Sequence, residues 1–289
     1  MAFSTAASSV RAPAVAGAFY PGSSRALQEE VDDLLERAVP PRHVGSVAGL
    51  VSPHAGYAYS GFTAAHGYRT LKGKTFDAVV IVGPSHQEYF EGASIFPGES
   101  YRTPLGVVPI HDELRSKIAG KNKSVFLSTV GHRTEHSVEV QLPFLQRVLG
   151  AFSFIPVVMG DQTLELCENL SDAIATAVTG RNVLLVASSD LSHYHPYDEA
   201  TFLDRQVIEL VEAFDPLRLM ERLESREVEA CGGGPITTVM LTAKRLGAIN
   251  ARVIHYCNSG DITGEKGAVV GYLSALFSRE PSDLPARAN

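Results

Sequence analysis

Two histidines of the sequence each follow an apolar run and a proline, the kind of place where a chain leaves a buried strand. His54 comes directly after Leu50-Val51-Ser52-Pro53, and His86 closes Gly83-Pro84-Ser85-His86 after the apolar residues 78–82. Proline cannot continue a strand ladder, so we expect both histidines on loops at strand ends. Two imidazoles with open coordination positions are typical of a metal site that binds substrate. A single loop histidine is more often structural, and the hypothesis depends on the repetition of the pattern.

A third apolar run, residues 183–187, leads to a segment with an acid and another histidine, Asp190 and His193. The two residues are three apart, so both could face one site from the same turn. The ordinary pKa of histidine, about 6.5, suits His193 to general acid–base catalysis at neutral pH. Alternatively, Asp190 only caps the turn after the strand, as aspartate often does at such a junction.

Cys231 precedes three glycines and a proline that open a predicted helix. The amide dipoles at a helix N-terminus favour a thiolate, and glycines let a ligand or metal approach closely. Cys231 is therefore a candidate third metal ligand beside His54 and His86. The alternative is a small buried residue before a flexible turn. The other cysteines, Cys167 and Cys257, are predicted to lie in the core.

A cluster of charged residues and two isolated side chains complete the set of candidates. Glu135, His136 and Glu139 fall within one helical turn, where they could orient the ligand histidines or contact substrate. The alternative is a solvated, charged helix N-terminus stabilised by the helix dipole. Tyr57 and Arg102 are candidates for the rim of the same pocket, although aromatic loop residues more often only pack.

A serine hydrolase is a competing interpretation, because Ser85 precedes His86 and several serines, among them Ser188, surround Asp190. The sequence has no Gly-x-Ser-x-Gly elbow, which such enzymes on α/β folds carry. It also has neither the Gly-x-x-x-x-Gly-Lys-Ser/Thr phosphate loop nor the Gly-x-Gly-x-x-Gly fingerprint of dinucleotide binding. Nucleotide chemistry by those routes is therefore not expected.

Hydrophobic periodicity predicts the elements that must position these residues. Strands are predicted at 46–51, 76–82, 93–96, 125–130, 152–158, 182–187, 251–256 and 269–277. Helices are predicted at 24–38, 60–71, 112–118, 164–178, 197–211, 216–223 and 231–245, with one at 135–149 that Pro143 should kink. Residues 101–106 and 258–266 are predicted loops.

The alternation of strands and helices predicts an α/β fold with a central mixed, largely parallel sheet covered by helices on both faces. Ligands in such sheets bind beyond the carboxyl ends of the strands, where the three motif loops would lie. We expect one domain over residues 13–278, with flexible tails at 1–12 and 279–289.

Composition excludes several functional classes. The net charge of -7 argues against a nucleic-acid-binding protein, which needs a basic surface to displace phosphate counterions. No apolar run approaches the ~20 residues of a membrane span. The three cysteines have no close pairing, so a reducing, cytoplasmic location is expected.

Six motifs, in order, resemble those of the Memo family, whose prokaryotic members are called AmmeMemoRadiSam system protein B. The similarity runs from about Gly17 to Tyr272, nearly the whole chain. The motifs are Pro53-His54-Ala55-Gly56-Tyr57, Gly83-Pro84-Ser85-His86, Tyr101-Arg102-Thr103-Pro104-Leu105, Glu135-His136-Ser137-Val138-Glu139, Ser188-Ser189-Asp190-Leu191-Ser192-His193 and Cys231-Gly232.

The resemblance implies a fold like that of the class III extradiol dioxygenases, whose iron is held by two histidines and a glutamate. It places His54 and His86 at the histidine ligand positions, His193 at the acid–base position and Cys231 at the glutamate position. A thiolate in place of a carboxylate favours one copper or iron ion, with zinc also compatible, so ring-cleaving activity is not simply inherited.

The implied function is a metal-dependent oxidoreductase that acts on a small substrate or oxygen species, with Asp190 tuning the site. The alternative is a non-catalytic protein that uses the same pocket for a peptide or metabolite. The family name also implies radical-SAM and AMMECR-type partner proteins.

Overall fold

The structure is a computed structural model that describes residues 10–41, 45–120 and 123–280. Its strands are β1 (Val10–Arg11), β2 (Ser46–Ser52), β3 (Ala78–Pro84), β4 (Ala93–Ile95), β5 (Ser100–Thr103), β6 (Gly106–Pro109), β7 (Val125–Leu127), β8 (Phe154–Met159), β9 (Val183–Ser188), β10 (Asp190–His195), β11 (Asn250–Asn258) and β12 (Val269–Arg279). Its helices are α1 (Ser24–Arg37), α2 (Tyr57–Arg69), α3 (Asp112–Ala119), α4 (Leu142–Leu149), α5 (Leu164–Ala177), α6 (Tyr197–Glu212), α7 (Pro216–Glu224), α8 (Gly233–Arg245) and α9 (Ser259–Thr263), with a 3-10 turn at Glu139–Gln141.

The main sheet has the strand order β10-β12-β2-β9-β3-β8-β4-β7, and β11 pairs with β12 at one end. The central strands β2, β9, β3 and β8 are parallel, whereas β12 is antiparallel to its neighbours β2, β10 and β11. The predicted mixed sheet is therefore confirmed. Because β2, β9 and β3 are adjacent and parallel, the three motif loops leave the sheet side by side at the same edge.

Helices cover both faces of this sheet. One face packs against α5, α8 and their neighbours around residues such as Leu185 and Ile236, and the other packs against α1, α2 and α4 around residues such as Leu50 and Phe144. The central strands read as continuous apolar runs because both of their faces are buried. Fully burying one leucine or valine of such a strand contributes about 1.5–3 kcal/mol.

The predicted helix over residues 135–149 is wrong in its first half. Glu135 and His136 lie in a loop, Glu139–Gln141 is a single 3-10 turn, and the helix begins only at Leu142. Pro143 lies in the first turn of α4 and causes no kink, because its missing N–H has no helical partner there. The segment that carries Glu135 and His136 is therefore not helical.

Three predicted loops contain regular structure. Residues 101–106 belong to a hairpin in which β5 and β6 pair antiparallel. The segment after β9 forms β10, which pairs with β12 through an irregular register. The predicted loop at 258–266 contains the short helix α9, whose N-terminus is a capping box between Asn258 and Asp261.

The folded body extends beyond the predicted domain limits. Val10 and Arg11 pair in parallel with β5, so residues 10–12 are not a flexible tail, and β12 continues to Arg279. The remaining parts of the predicted tails, residues 1–9 and 281–289, lie outside the described residues. Within the described ranges, no helix combines the length and apolar character that a bilayer crossing requires.

Candidate metal centre

Three imidazoles meet at the carboxyl edge of the central strands. One ring nitrogen from each of His54, His86 and His136 lies within 4.8 Å of the other two. The ring centroid of His54 is 5.0 Å from that of His86 and 5.4 Å from that of His136, and the last two are 4.8 Å apart. This group could hold a metal ion. His54 and His86, the two predicted histidine ligands, thus lie side by side at this edge.

His136 differs from its predicted place at the margin of the site. Its imidazole is stacked beside that of His86, because the loop that precedes the 3-10 turn, rather than a helix, presents it. Burial is the main cause that lowers the pKa of His136, so the ring favours its neutral, metal-binding form. The His136 ring is therefore as well placed as the two predicted ligands.

The Cys231 thiol lies next to His54, with its Sγ 3.1 Å from His54 Nε2. A tetrahedral metal with bonds of 2.0–2.1 Å to nitrogen and 2.3 Å to sulfur separates the two ligand atoms by about 3.5 Å. The observed spacing is thus close to that of a ligand pair. The backbone N–H of Asp190 also donates to Cys231 Sγ at 3.2 Å, which favours a thiolate.

The Cys231 thiol is nevertheless protonated in the absence of a metal. Burial, followed by the nearby Asp190 carboxyl, raises the pKa of Cys231 well above its ordinary value. A metal ion would have to displace this proton, as is general for cysteine ligands. The glycine-rich turn lets the backbone come close, since a Cβ on Gly232 would lie 2.3 Å from the carbonyl oxygen of Ser188.

A buried chain of hydrogen bonds fixes the tautomer of His54. The Ser188 hydroxyl donates its single proton to the carbonyl of Ser137 at 2.6 Å. Ser188 Oγ therefore accepts both from Gln141 Nε2, at 2.7 Å, and from His54 Nδ1, at 2.9 Å. The proton of the neutral imidazole lies on Nδ1, and the lone pair of Nε2 points towards the thiol and the cluster.

Gln141 is itself held by two further hydrogen bonds. Its Nε2 also donates to the carbonyl of Pro53 at 3.0 Å, and its Oε1 accepts from the Tyr68 hydroxyl at 2.7 Å. Ser188, Gln141 and Tyr68 are all buried. Burial also lowers the pKa of His54, so the neutral ring is the stable form.

Glu135 orients His86 in the same way. Its Oε1 accepts from His86 Nδ1 at 3.0 Å and its Oε2 from the His86 backbone N–H at 2.6 Å. Burial opposes charge on this carboxyl, but the bonds from His86 and from the Ser137 N–H outweigh it and hold the pKa of Glu135 low. A carboxylate accepts only, so Nδ1 of His86 carries a proton and Nε2 is the nitrogen left for a metal. Burial works against charge on this ring, but the Glu135 carboxylate outweighs it and raises the pKa of His86, so a metal ion would have to compete with a proton at Nε2.

Asp190 lies against His54 rather than in open space. Its Oδ1 accepts from the His54 backbone N–H at 2.8 Å, and its Oδ2 lies 4.0 Å from His54 Nε2. Burial raises the pKa of Asp190 to about 7, although hydrogen bonds from the His54 and Ala55 backbone work against that shift. The predicted catalytic role of Asp190 stays a prediction.

His193 and Cys231 both line a cavity of about 560 Å³ on the side of α5, α7 and α8. The Nδ1 of His193 bonds to the carbonyl of Leu191 at 2.8 Å, which leaves its Nε2 for the cavity. Burial lowers the pKa of His193, so the ring is neutral and able to accept a proton.

Three predicted site residues do not face the cluster, and two of them form buried contacts that support the fold. The Tyr57 hydroxyl donates to the carbonyl of Val140 at 2.6 Å, and its ring packs on Phe144. Glu139 forms a buried ion pair with Arg11, with Oε2 2.5 Å from Nη1. Arg102 is exposed because strand β5 alternates its side chains between core and solvent.

Sequence reasoning missed the buried residues that hold the histidines. The sequence indicates Ser188 only as a possible nucleophile and Tyr68 only as a residue of a packed helix, and it indicates no role for Gln141. Gln141 follows the charged motif by two residues and is uncharged, so a search for ligands or acids passes over it. The only available signal was the serine directly at the end of the third motif strand.

Comparisons with known proteins find relatives along nearly the whole chain. The profile of a family described as "Memo-like protein" matches residues 11–276. A MEMO1 family protein of Nitrosopumilus maritimus is 34% identical over 273 residues, which cover 93% of this chain and 99% of that protein. Another from Methanosarcina mazei is 39% identical over 270 residues, which cover 92% of this chain and 98% of that protein.

A solved structure shares the fold at low sequence identity. The crystal structure of an uncharacterized protein from Escherichia coli K12 aligns with a TM-score of 0.54 at 15% identity, covering 80% of this chain and 99% of that chain. This similarity concerns the fold alone.

Proposed function

The chain belongs to the Memo family, and we propose that His54, His86 and Cys231 hold one transition metal ion at which a small substrate or oxygen species is oxidised or reduced. The observation that carries this proposal is the position of the Cys231 thiol, 3.1 Å from Nε2 of His54, a ring that belongs to a cluster of three imidazoles. Two imidazoles and a thiolate suit copper or iron, with zinc also compatible.

The donor set fits a metal for a second reason. The hydrogen bonds to Ser188 and Glu135 place a proton on Nδ1 of His54 and of His86, so Nε2 is the nitrogen through which each ring would bind a metal. Such partners raise the basicity of a ligand histidine and fix its orientation. His136 offers a third imidazole, as a further ligand or as a contact to substrate.

A bound copper or iron ion would supply one-electron chemistry that no protein side chain performs at this site. The chain itself supplies the geometry and the proton movements. The neutral His193 Nε2 accepts a proton from a substrate in the adjoining cavity and returns it, and Asp190 keeps the His54 loop in place through its bond to the backbone N–H.

The kind of reaction is proposed from the resemblance to extradiol dioxygenases, and one residue limits the analogy. Cys231 stands where those enzymes carry a glutamate, so the metal experiences a softer donor. Ring cleavage is for this reason not part of the proposal, and an oxidoreductase activity on a small molecule is. A cytoplasmic location and radical-SAM and AMMECR-type partners are proposed from the free cysteines and the family name.

Metal analysis of protein purified without chelator tests the proposal. Incubation with copper(I), iron(II) or zinc followed by desalting should leave about one ion per chain. Cys231→Ala and His54→Ala should each lose the ion, whereas Cys257→Ala should keep it, because Cys257 contacts Thr63 away from the cluster. Wild-type protein that retains none of the three metals would refute the proposed centre.

A second candidate function is a binding protein that holds a peptide or metabolite without turnover. It is favoured by the size of the cavity, about 560 Å³, which falls in the range of ligand pockets. Oxygen consumption by the metal-loaded protein with a panel of catechols separates the two. Uptake that disappears in Cys231→Ala supports the enzyme, and no uptake with any catechol supports the binding protein.

A further inference from the structure

The cavity beside Cys231 is a built pocket with an apolar wall. Its side walls come from α7, from the segment that follows it and from β10, and the apolar residues among them are Leu191, Met220, Leu223, Val228 and Ala230. Cys231 and His193 lie in the same lining. A pocket of this kind binds the apolar body of a small molecule and orients it through a few polar groups.

We propose that this pocket binds a small molecule with an apolar, ring-sized body and one anionic group such as a carboxylate, and that Arg226 holds the anion. The charged groups that line the pocket decide whether it favours an anionic or a cationic ligand. Glu224 already accepts from the Leu164 backbone N–H at 3.2 Å, and Glu229 pairs with His195 at 2.9 Å. The Arg226 guanidinium has neither a hydrogen bond nor an ion pair within the described part of the chain.

The backbone at Arg226 gives an independent reason. Arg226 has a φ of 60° at the end of α7, where its N–H bonds to the Leu223 carbonyl and the Glu227 N–H bonds to the Arg222 carbonyl. This is the left-handed closing position of a helix, which glycine normally occupies. An arginine there is strained, and strain of this kind is typical of residues kept for a function.

Two helix N-termini also border the pocket, but the Gly234 and Leu164 N–H groups there are already bonded, and Arg226 is the group that binds the anion. Thr163 is the N-cap of α5, and Gly233 and Gly234 form the first turn of α8. Their positive ends favour an anion. The Gly234 N–H is already bonded to Gln162 Oε1 at 2.7 Å and the Leu164 N–H to Glu224, so the guanidinium is the available donor.

The pocket shares Cys231 with the proposed metal centre. An anion held at Arg226 leaves the rest of the ligand in a lining that includes Leu191, Met220 and His193. That the ligand is a substrate rests on the proposed function, but its binding does not, and binding can be measured on metal-free protein.

The test compares three probes of one shape: 2-naphthoate, the neutral 2-naphthamide and the cationic 2-naphthylmethylamine. Met220 lines the pocket, whereas Met159 and Met240 lie in the core, so the methyl NMR signals of labelled methionines report where each probe binds. On metal-free protein, 2-naphthoate should shift the Met220 signal and bind at least about tenfold more tightly than the amide. Binding of the amine as tightly as the naphthoate, or no shift at Met220, overturns the proposal.

Variants of Arg226 separate the charge from the fold. Arg226→Gln should abolish the preference for naphthoate over the amide, and Arg226→Lys should keep part of it. Arg226→Gly should abolish it while raising the folding equilibrium constant about two- to fivefold, since glycine relieves the left-handed strain but gains freedom when unfolded. Arg218→Gln, at an exposed position of the same helix outside the lining, should leave both quantities unchanged. A naphthoate preference that survives in Arg226→Gly refutes the assignment of Arg226.

Discussion

Replacing Ser188 by alanine should move the proton of the His54 imidazole from Nδ1 to Nε2. In the wild-type chain, Ser188 Oγ accepts from His54 Nδ1 because its own proton goes to the Ser137 carbonyl. Without that acceptor, an Nδ1–H would be buried with no partner, whereas an Nε2–H could donate to Cys231 Sγ, 3.1 Å away. The tautomer with a free Nε2 lone pair is then no longer the favoured one.

The magnitude follows from the bonds that are lost. The substitution removes three hydrogen bonds at Ser188, of 2.6, 2.7 and 2.9 Å. Gln141 keeps its bond to the Pro53 carbonyl, so the groups left without these partners are the Ser137 carbonyl, Nδ1 of His54 and the second N–H of the Gln141 amide. At roughly 1–3 kcal/mol for each orphaned group, the free energy of unfolding should fall by at least about 3 kcal/mol. Metal affinity should fall about 10- to 100-fold, as for other residues that orient a ligand histidine.

Two measurements on the metal-free and metal-titrated protein check this reasoning. Nitrogen-15 NMR of the histidine rings distinguishes a protonated from an unprotonated Nδ1, and competition with a chelator gives the metal affinity. The matched control is Ser94→Ala, which also removes a fully buried hydroxyl, one that donates to the Val130 carbonyl and has no bond to the three clustered imidazoles. Ser94→Ala should lose stability without a change in tautomer or affinity. A Ser188→Ala protein that retains the Nδ1–H ring and wild-type affinity would refute the hydrogen-bond assignment.

Three further predictions concern the surroundings of the site. Glu135→Gln should weaken metal binding about 10- to 100-fold, because the amide holds His86 Nδ1–H less strongly than a carboxylate does; chelator competition measures the loss. Glu139→Gln should lower the free energy of unfolding in urea by about 3–5 kcal/mol, because it leaves the Arg11 charge buried without its counterion. Burial and a neighbouring imidazole lower the pKa of His255 to about 4 from 6.5, so the unfolded chain binds a proton that the folded chain does not. The free energy of unfolding should therefore fall as pH drops from above 6.5 towards 4. His255→Gln should reduce this fall by about 1–2 kcal/mol, after allowance for solvent screening of the partly exposed ring. Urea unfolding at both pH values measures the difference.

The main features of the fold could be read from the sequence because the central strands are buried on both faces. Their unbroken apolar runs, such as residues 183–187, predict strands without knowledge of their neighbours. The hairpin at β5 and β6 could not be predicted in the same way. It belongs to a small sheet with β1, and its strands are short and partly exposed, so their pairing depends on contacts distant in the sequence.

The sequence predicts those site residues that directly follow a central strand. His54 and His86 follow β2 and β3 by two residues, and these parallel strands flank β9 on its two sides, so both histidines leave the sheet at the same edge. His136 was misplaced because its segment has helical spacing but a loop conformation. That conformation is imposed from elsewhere, since the Arg11 guanidinium bonds to the Glu135 carbonyl and the Glu139 carboxylate. The sequence pattern around His136 does not reveal a partner as distant in the chain as Arg11.

The N-terminal segment therefore takes part in the site rather than preceding it. Arg11 is buried and donates hydrogen bonds to three groups of the segment 132–139, which carries His136. These groups are the carbonyls of His132 and Glu135 and the carboxylate of Glu139. The Phe19 ring lies 4.7 Å from the His136 ring, so the same segment forms a wall of the cluster. If this contact network sets the position of His136 and of the carboxylate that orients His86, then a change at Glu139 must act on metal affinity as well as on stability, although Glu139 itself touches no imidazole nitrogen.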